Sequence, residues 1–168
     1  MSASLNSLRS ISFATVLLRM LLACLSGAVI GSERSYKNRP AGFRTHILVC
    51  IGAATASMTG IYLYLNLGLP TDISRLGAQV VSGLGFIGAG TIIVTRNRTV
   101  KGLTTAAGLW ASGVIGLSIG AGFYEGGVFA TALVLITETV FSQLNSRIMR
   151  SPSSISRCTI TTSPPWTR

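Results

Sequence analysis

The chain has 168 residues, of which 48% are hydrophobic and only 11% are charged, whereas an average soluble protein has about 25% charged residues. So few charges cannot cover the surface of a soluble domain, so the composition excludes an ordinary soluble protein and predicts an integral membrane protein. The net charge of +10 is gathered in short basic clusters between apolar runs with few aromatic residues among them, and this argues against nucleic acid as a partner.

The first apolar run extends from Ile11 to Ser32 and predicts a membrane helix, and the membrane domain is placed from residue 13, after a short N-terminal segment, residues 1–12. Arg19 interrupts this helix and lies five residues before Cys24, which is too close for the apolar core of a lipoprotein signal peptide. We expect this run to be a spanning helix and the Arg19 side chain to reach towards the outer membrane surface.

A basic stretch, "SERSYKNRPAGFRTH" (residues 32–46), separates the first apolar run from the second. Cytoplasmic loops retain lysine and arginine, so the stretch predicts an inner loop. Pro40 lacks a backbone donor and Gly42 permits unusual backbone angles, so together they are expected to end the first helix and turn the chain. The acidic residue of the stretch, Glu33, is expected to pair at the membrane boundary with Arg34, Arg39 or Arg44.

Three charge-free runs follow: 25 residues after His46, 20 after Arg75 and 23 after Lys101. Each can cross a bilayer, which takes about 20 helical residues. A fifth run, Gly126 to Ser146, is interrupted only by Glu138. The pattern predicts an all-α, polytopic membrane protein with about five transmembrane helices in one domain, residues 13–146.

The basic residues also predict an orientation. With the 34–46 loop inside, eleven of the fourteen lysines and arginines lie on the cytoplasmic side, so the N-terminus is outside and the C-terminus cytoplasmic. Residues 147–168 are rich in Ser, Pro and Arg and cannot bury enough apolar surface to order themselves, so we expect a flexible cytoplasmic tail.

The third predicted helix contains "GLGFIG", Gly83 to Gly88, which fits the spacing of a dinucleotide-binding turn but has no acidic residue before Glu125 and no strand pattern ahead of it. Small residues let membrane helices approach closely, so these glycines are expected to pack against the small residues 106–116 of the fourth helix. The open alternative is that so many glycines break helix 3 and free backbone carbonyls to line a polar cavity.

Ionisable residues within the membrane are costly and often functional. For Glu138 three roles stay open: a protonated packed side chain, a partner for another helix, or a carrier of a proton or cation. Only weak candidate metal ligands are available, namely Asp72, Glu125 and Glu138. His46 has no nucleophile nearby, and no catalytic or cofactor motif occurs, so the sequence predicts neither an enzyme nor a bound cofactor.

Three blocks, residues 31–54, 72–93 and 100–124, closely resemble the MgtC/SapB family of bacterial inner-membrane proteins, in the family order. The resemblance implies a five-helix, multi-pass inner-membrane protein that supports growth when magnesium is scarce and, in pathogens, virulence. Family members have been described as Mg²⁺ transporters, and also as regulators that bind membrane partners, notably ATP synthase. Many members continue into a cytoplasmic C-terminal domain, which this chain is expected to lack.

The resemblance also marks signature positions, in the first loop, on helix 3 with its approach, and at the start of helix 4. They are Glu33, Arg34, Arg39, Pro40, Gly42, Arg44, Thr45 and His46; Asp72, Arg75, Gln79, Ser82, Gly83, Gly85, Gly88 and Gly90; and Gly102, Leu103, Thr104, Thr105, Ala106 and Trp110.

Three functional hypotheses remain. The first is a regulator that contacts a membrane partner, and Gly88→Leu should abolish capture of that partner. The second is a component that transports Mg²⁺ or another cation. The third is a remnant without activity. The expected partners are the lipid bilayer and other inner-membrane proteins, with a homo-oligomer as a further expectation. The loop signature predicts that Arg39→Glu impairs function more than Lys37→Glu.

Overall fold

The computed structural model describes residues 12–68, 70, 72–94 and 100–141. Within them the chain forms helices α1 (Phe13–Tyr36), α2 (Phe43–Leu65), α3 (Ser74–Thr91), α4 (Leu103–Gly120) and α5 (Tyr124–Ile136), and α5 continues into a π-helical turn, Thr137–Phe141. The predicted N-terminal segment up to residue 11, the 95–99 loop tip, the end of the fifth run and the tail 147–168 lie outside the described residues.

The all-α, polytopic membrane fold is confirmed. Three of the five described helices, α1, α2 and α4, are long and apolar enough to cross a membrane. Helix α3 is one unbroken α-helix despite its glycines, so the alternative of a broken helix 3 is wrong for this chain. The shortest helix, α5, has 13 residues before its π-helical turn.

Helix α1 begins and ends at residues that satisfy its free backbone groups. Ser12 and Thr15 form a reciprocal capping box at the start, with the Ser12 N–H donating to Thr15 Oγ1 at 2.7 Å. The helix runs to Tyr36, four residues beyond the predicted end, so Glu33 and Arg34 are helical. Asn38 turns the chain with a positive φ of 51°.

The turn from α1 to α2 lies where Pro40 and Gly42 predicted one, but α1 ends before Pro40, and the positive φ is at Asn38 whereas Gly42 has a φ of −116°. The Ser35 hydroxyl accepts a hydrogen bond from the Phe43 N–H at 2.8 Å and ties the start of α2 to the end of α1. Further along, a Cβ on Gly27 would lie 2.7 Å from the His46 carbonyl oxygen. The two helices therefore form a close antiparallel pair.

Helix α4 is central, in contact with each of the other four described helices. A Cβ on Gly116 would lie 2.9 Å from Cys50 Cα, and one on Gly120 would lie 2.7 Å from Ala54 Cα. The small residues of α4 thus bring it against α2 at backbone distance, rather than serving mainly its contact with α3.

The packing of α3 on α4 uses other residues. Gly88 faces Ala106, where a Cβ on the glycine would lie 3.4 Å from the alanine methyl, and Leu84 fills the space over Gly113. Leu84 and Gly88 are the two buried residues of α3. The predicted contact between the small faces of helices 3 and 4 therefore exists, but it is narrow.

A two-residue antiparallel ladder joins α3 to α4. Its strands are β1 (Ile93–Val94) and β2 (Val100–Lys101), with Ile93 opposite Lys101 and Val94 opposite Val100. Gly102 follows with a φ of 96° and lies against the Thr91 carbonyl, a conformation and an approach that exclude a side chain. This explains why glycine stands at that signature position.

Candidate functional site

Five polar side chains meet at the end of the bundle where α1 turns into α2. We call them the charge cluster: Glu33, Arg34, Lys37, His46 and Glu138. Arg34 lies at its centre with 1% of its surface exposed. Its Nε donates to Glu33 Oε2 at 2.7 Å, and its Nη2 donates to Glu138 Oε2 on the π-helical turn. Of the three partners expected for Glu33, the structure selects Arg34.

Lys37 completes the ion pairs of the charge cluster. It follows Glu33 by one helical turn, and its Nζ lies 2.5 Å from Glu33 Oε1. The same ammonium group donates to the backbone carbonyl of Glu138 at 2.6 Å. Two cations therefore face two carboxylates, and this balance permits the charges to be buried.

The π-helical turn places Glu138 against α1. Turns of this kind loosen the regular hydrogen-bond ladder and often occur at functional sites. Here both the side chain and the carbonyl of Glu138 bind cations of α1, and the Arg34–Glu138 contact joins residues 104 positions apart. Of the three roles left open for Glu138, the structure shows the pairing with another helix.

His46 is fully buried beside these ion pairs. Its Nδ1 lies 2.9 Å from the Gly42 carbonyl, which can only accept, so Nδ1 carries the hydrogen. Its Nε2 has no hydrogen-bond partner among the described residues. On α4, a Cβ built on Gly108 would lie 3.7 Å from this nitrogen and 3.5 Å from Glu138 Oε1. Gly108 thus forms the α4 wall of the charge cluster.

Arg19 lies at the opposite end of α1 and does not reach towards the membrane surface. Only 1% of its surface is exposed, and it donates to the Gly120 carbonyl at 2.8 Å and to the Tyr124 hydroxyl at 3.2 Å. The expectation of an outward-reaching side chain is therefore wrong. The C-terminal carbonyls of α4 carry partial negative charge, and they attract the guanidinium into the bundle.

The three candidate metal ligands are dispersed. Asp72 precedes α3, Glu125 lies in the first turn of α5, and Glu138 is held by Arg34. The described residues contain no group of three or more His, Cys, Asp or Glu side chains that could hold a metal ion. The fold therefore does not bring these three candidate metal ligands together in one site.

Asp72 lies on an open cavity of about 750 Å³ between α2, α3 and α4, whose other polar side chains include Ser57, Tyr64 and Ser118. Its carboxylate accepts hydrogen bonds from the Ser74 hydroxyl at 2.7 Å and the Ser74 N–H at 2.9 Å. These bonds hold the pKa of Asp72 below its usual value. The residue therefore stays ionised at neutral pH and stabilises the start of α3.

The sequence profile of the MgtC family matches residues 20–147, which include all five described helices in whole or in large part. The chain belongs to the MgtC family. An Escherichia coli (strain K12) protein named "Putative magnesium transporter YhiD" is 41% identical over 140 residues, which cover 81% of this chain and 65% of that protein. Protein MgtC of Salmonella typhimurium (strain LT2) is 38% identical over 138 residues, which cover 82% of this chain and 57% of that protein.

A Haemophilus influenzae protein is 41% identical over 124 residues, which cover 71% of this chain and 52% of that protein. The chain spans less than two thirds of the length of these relatives. No solved structure matches it.

The signature positions that resemble the MgtC family fall into three groups in the structure. Glu33, Arg34 and His46 meet in the charge cluster. Gly42, Gly88, Gly102 and Thr105 lie at helix contacts and turns. Ala106 packs against Gly88. The others that the structure brings to no common site are mostly exposed: Arg39, Pro40, Arg44, Thr45, Asp72, Arg75, Gln79, Ser82, Gly83, Gly85, Gly90, Leu103, Thr104 and Trp110.

Two members of the site escaped the sequence analysis. Lys37 follows Glu33 by four residues, a spacing that brings opposite charges together on a helix, so the signal was present. Gly108 is one of many glycines, and no local pattern distinguishes it. Its place opposite His46 and Glu138 depends on the packing of α2, α4 and α5.

Proposed function

We propose that this chain is a multi-pass protein of the bacterial inner membrane that supports growth at low Mg²⁺ by binding a membrane partner and regulating it. The name of one MgtC-family relative, "Putative magnesium transporter YhiD", supports the link to magnesium. Buried ion pairs that satisfy Glu138 within the protein favour a regulator over a carrier. The observation that carries the proposal is the free face of α3.

This α3 face consists of Gly83, Phe86, Ile87 and Gly90, which share one side of the helix at spacings of three, four and seven residues. A Cβ built on Gly83 or on Gly90 would have no atom of another part of the protein within 4 Å. Phe86 is 85% exposed. Helices associate in lipid through small residues that let backbones approach, so a groove with glycines at both ends suits a transmembrane helix of another protein.

The orientation follows from the basic loop. With residues 34–46 in the cytoplasm, the charge cluster lies at the inner end of the bundle and the Asp72 cavity at the outer end. A cysteine introduced at the exposed Asn38 should then react with an impermeant maleimide only after the inner membrane is opened. Reaction in intact spheroplasts would contradict this orientation.

The α3 face supplies a direct test of partner binding. Gly83→Leu should abolish capture of the partner from gently solubilised membranes and, with it, growth at low Mg²⁺. Gly52→Leu is the matched control, because Gly52 also has no atom within 4 Å of its Cβ position but lies on α2. Gly88→Leu is unsuitable, since Gly88 packs on Ala106 and the substitution would disturb the fold.

The partner expected from the family resemblance is ATP synthase, which antibodies to its membrane subunits would identify in the captured fraction. Capture by the wild type and the Gly52 variant, with loss in the Gly83 variant, supports the proposal. If no membrane protein is captured, or if Gly83→Leu keeps both capture and growth, regulation through α3 fails.

A second function, transport of Mg²⁺ or another cation, is favoured by the ionised Asp72 on the open 750 Å³ cavity. In liposomes loaded with a magnesium-sensitive dye, it predicts an influx that Asp72→Asn reduces several-fold. Flux no greater than that of the Asp72→Asn variant would remove this alternative.

A further inference from the structure

The volume beside Gly108 is bordered by two polar atoms from different helices. Apart from the glycine's own helix and chain neighbours, a Cβ built there would contact only His46 Nε2 at 3.7 Å and Glu138 Oε1 at 3.5 Å. Both distances are ordinary van der Waals contacts, so the space beside Gly108 has room for at least a methyl group. His46 Nε2 and Glu138 Oε1 border it on two sides, and the backbone of α4 borders it on a third.

Both polar atoms can accept a hydrogen bond, and His46 Nε2 lacks one within the described part of the chain. His46 carries its hydrogen on Nδ1, so Nε2 presents a lone pair, and a carboxylate oxygen only accepts. His46 is fully buried, and Nε2 has no partner among the described residues. An unsatisfied buried acceptor destabilises the fold, and buried water molecules commonly make up such deficits with about three hydrogen bonds each.

We propose that the volume beside Gly108 binds a single water molecule that donates one hydrogen bond to His46 Nε2 and the other to Glu138 Oε1. Arg34 Nη1 is also buried without a partner among the described residues and belongs to the same charge cluster, so it is the available donor to the water oxygen. The water connects the imidazole of α2 to the ion pairs that join α1 to the π-helical turn.

The charged groups around His46 make water a better occupant than a cation. Helix α1 contributes Arg34, Lys37 and Glu33, and the π-helical turn contributes Glu138, while α4 faces His46 and Glu138 with Gly108. The two carboxylates are already balanced by two cations, and an added cation would meet Arg34 and Lys37. A neutral molecule with two donors and one acceptor matches the atoms available.

The proposal gives Gly108 a role that packing alone does not. Alanine fits the volume sterically but replaces the water with a methyl group, whereas serine brings a hydroxyl that can donate to Nε2 or Oε1. Gly77→Ala is the matched control, because its Cβ would also make an ordinary contact, 3.5 Å from Leu117 Cδ2, but on α3 and not against the charge cluster.

His46 is the single histidine of the chain, so ¹⁵N-histidine labelling of the full protein in lipid nanodiscs gives one imidazole to observe. In the wild type and in Gly77→Ala, we expect an unprotonated Nε2 whose shift shows an accepted hydrogen bond, with magnetisation transfer from water. Gly108→Ala should move Nε2 to the shift of a free nitrogen and lower the midpoint of thermal unfolding, and Gly108→Ser should restore the hydrogen-bonded shift.

Two results would overturn the proposal. One is a wild-type Nε2 that is protonated or free of a hydrogen bond. The other is a hydrogen-bonded Nε2 that persists in Gly108→Ala, since its donor would then be a protein group. These readouts are independent of partner capture and of ion flux, so they stand apart from the proposed function.

Discussion

We predict that Arg34 and Glu138, the buried ion pair of the charge cluster, contribute unequally to the free energy of unfolding. Glu138→Gln removes one carboxylate but leaves Arg34 paired with Glu33 at 2.7 Å, and the new amide can still accept a hydrogen bond. It should therefore lower the free energy of unfolding by about 1.5–3 kcal/mol, the usual contribution of a hydrogen bond to a charged group.

Arg34→Met acts differently because it leaves the Glu138 carboxylate without the guanidinium that faces it. Lys37 cannot take over both carboxylates, since its Nζ already lies 2.5 Å from Glu33 Oε1 and binds only the backbone of Glu138. Removal of one partner from a buried ion pair costs about 3–5 kcal/mol. The arginine substitution should therefore be the more damaging by roughly 1–3 kcal/mol.

The double variant Arg34→Met/Glu138→Leu provides the decisive comparison, because it removes both charges and fills the space with apolar groups. We expect it to unfold closer to the wild type than Arg34→Met does alone. Reversible unfolding in mixed micelles, followed by circular dichroism as sodium dodecyl sulfate is increased, measures all three. Equal losses in the two single variants, or a double variant whose loss equals their sum, would refute this account of the pair.

Three other predictions follow from individual contacts. Gly116→Ala should prevent folding, seen as loss of a monodisperse peak in size-exclusion chromatography, because its methyl group would overlap the Cys50 carbonyl and lie 2.9 Å from Cys50 Cα on α2. Gly83→Ala has open space and should raise stability by up to about 1 kcal/mol, and equal behaviour of the two variants would contradict the packing. Arg19→Met loses the hydrogen bond to the end of α4 and should lower the free energy of unfolding in micelles by about 1–3 kcal/mol. No change would mean that water, and not the end of α4, solvates the Arg19 guanidinium of the wild type. Lys37→Glu should impair growth at low Mg²⁺ more than Arg39→Glu, because Lys37 binds two members of the charge cluster and Arg39 is exposed; the opposite order would support the expectation from the sequence.

Most of the helices could be placed from the sequence because long apolar runs between charged residues have few other solutions in a membrane. The end of α1 could not, since Glu33 and Arg34 look like loop residues by charge. They remain helical because their charges are satisfied by Lys37 and Glu138, the second of which is more than 100 residues away. A local pattern cannot carry such a contact.

The glycines show a second limit. Gly116 lies against the α2 backbone, whereas Gly83 has open space at its Cβ position, yet both stand in similar apolar, small-rich helices. In a soluble protein the polar face of each helix would reveal its orientation. Lipid is as apolar as the protein interior, so hydrophobic periodicity does not distinguish a lipid-facing glycine from one at a helix contact.

The same limit gives the charge cluster a role beyond stability. The helices meet through small and apolar residues, and such faces can pack in several registers of similar energy. A buried ion pair adds little net stability compared with apolar groups of the same size, but a misplaced register would leave both charges unpaired. The contact of Arg34 with Glu138 therefore fixes α5 against α1, and Lys37 fixes the π-helical turn through its backbone. As a hypothesis, the Arg34→Met/Glu138→Leu variant keeps its stability but no longer holds α5 in a single register against α1. Cross-linking between cysteines introduced in α1 and α5 would detect this as several competing cysteine pairs. One unchanged pair would show that packing alone sets the register.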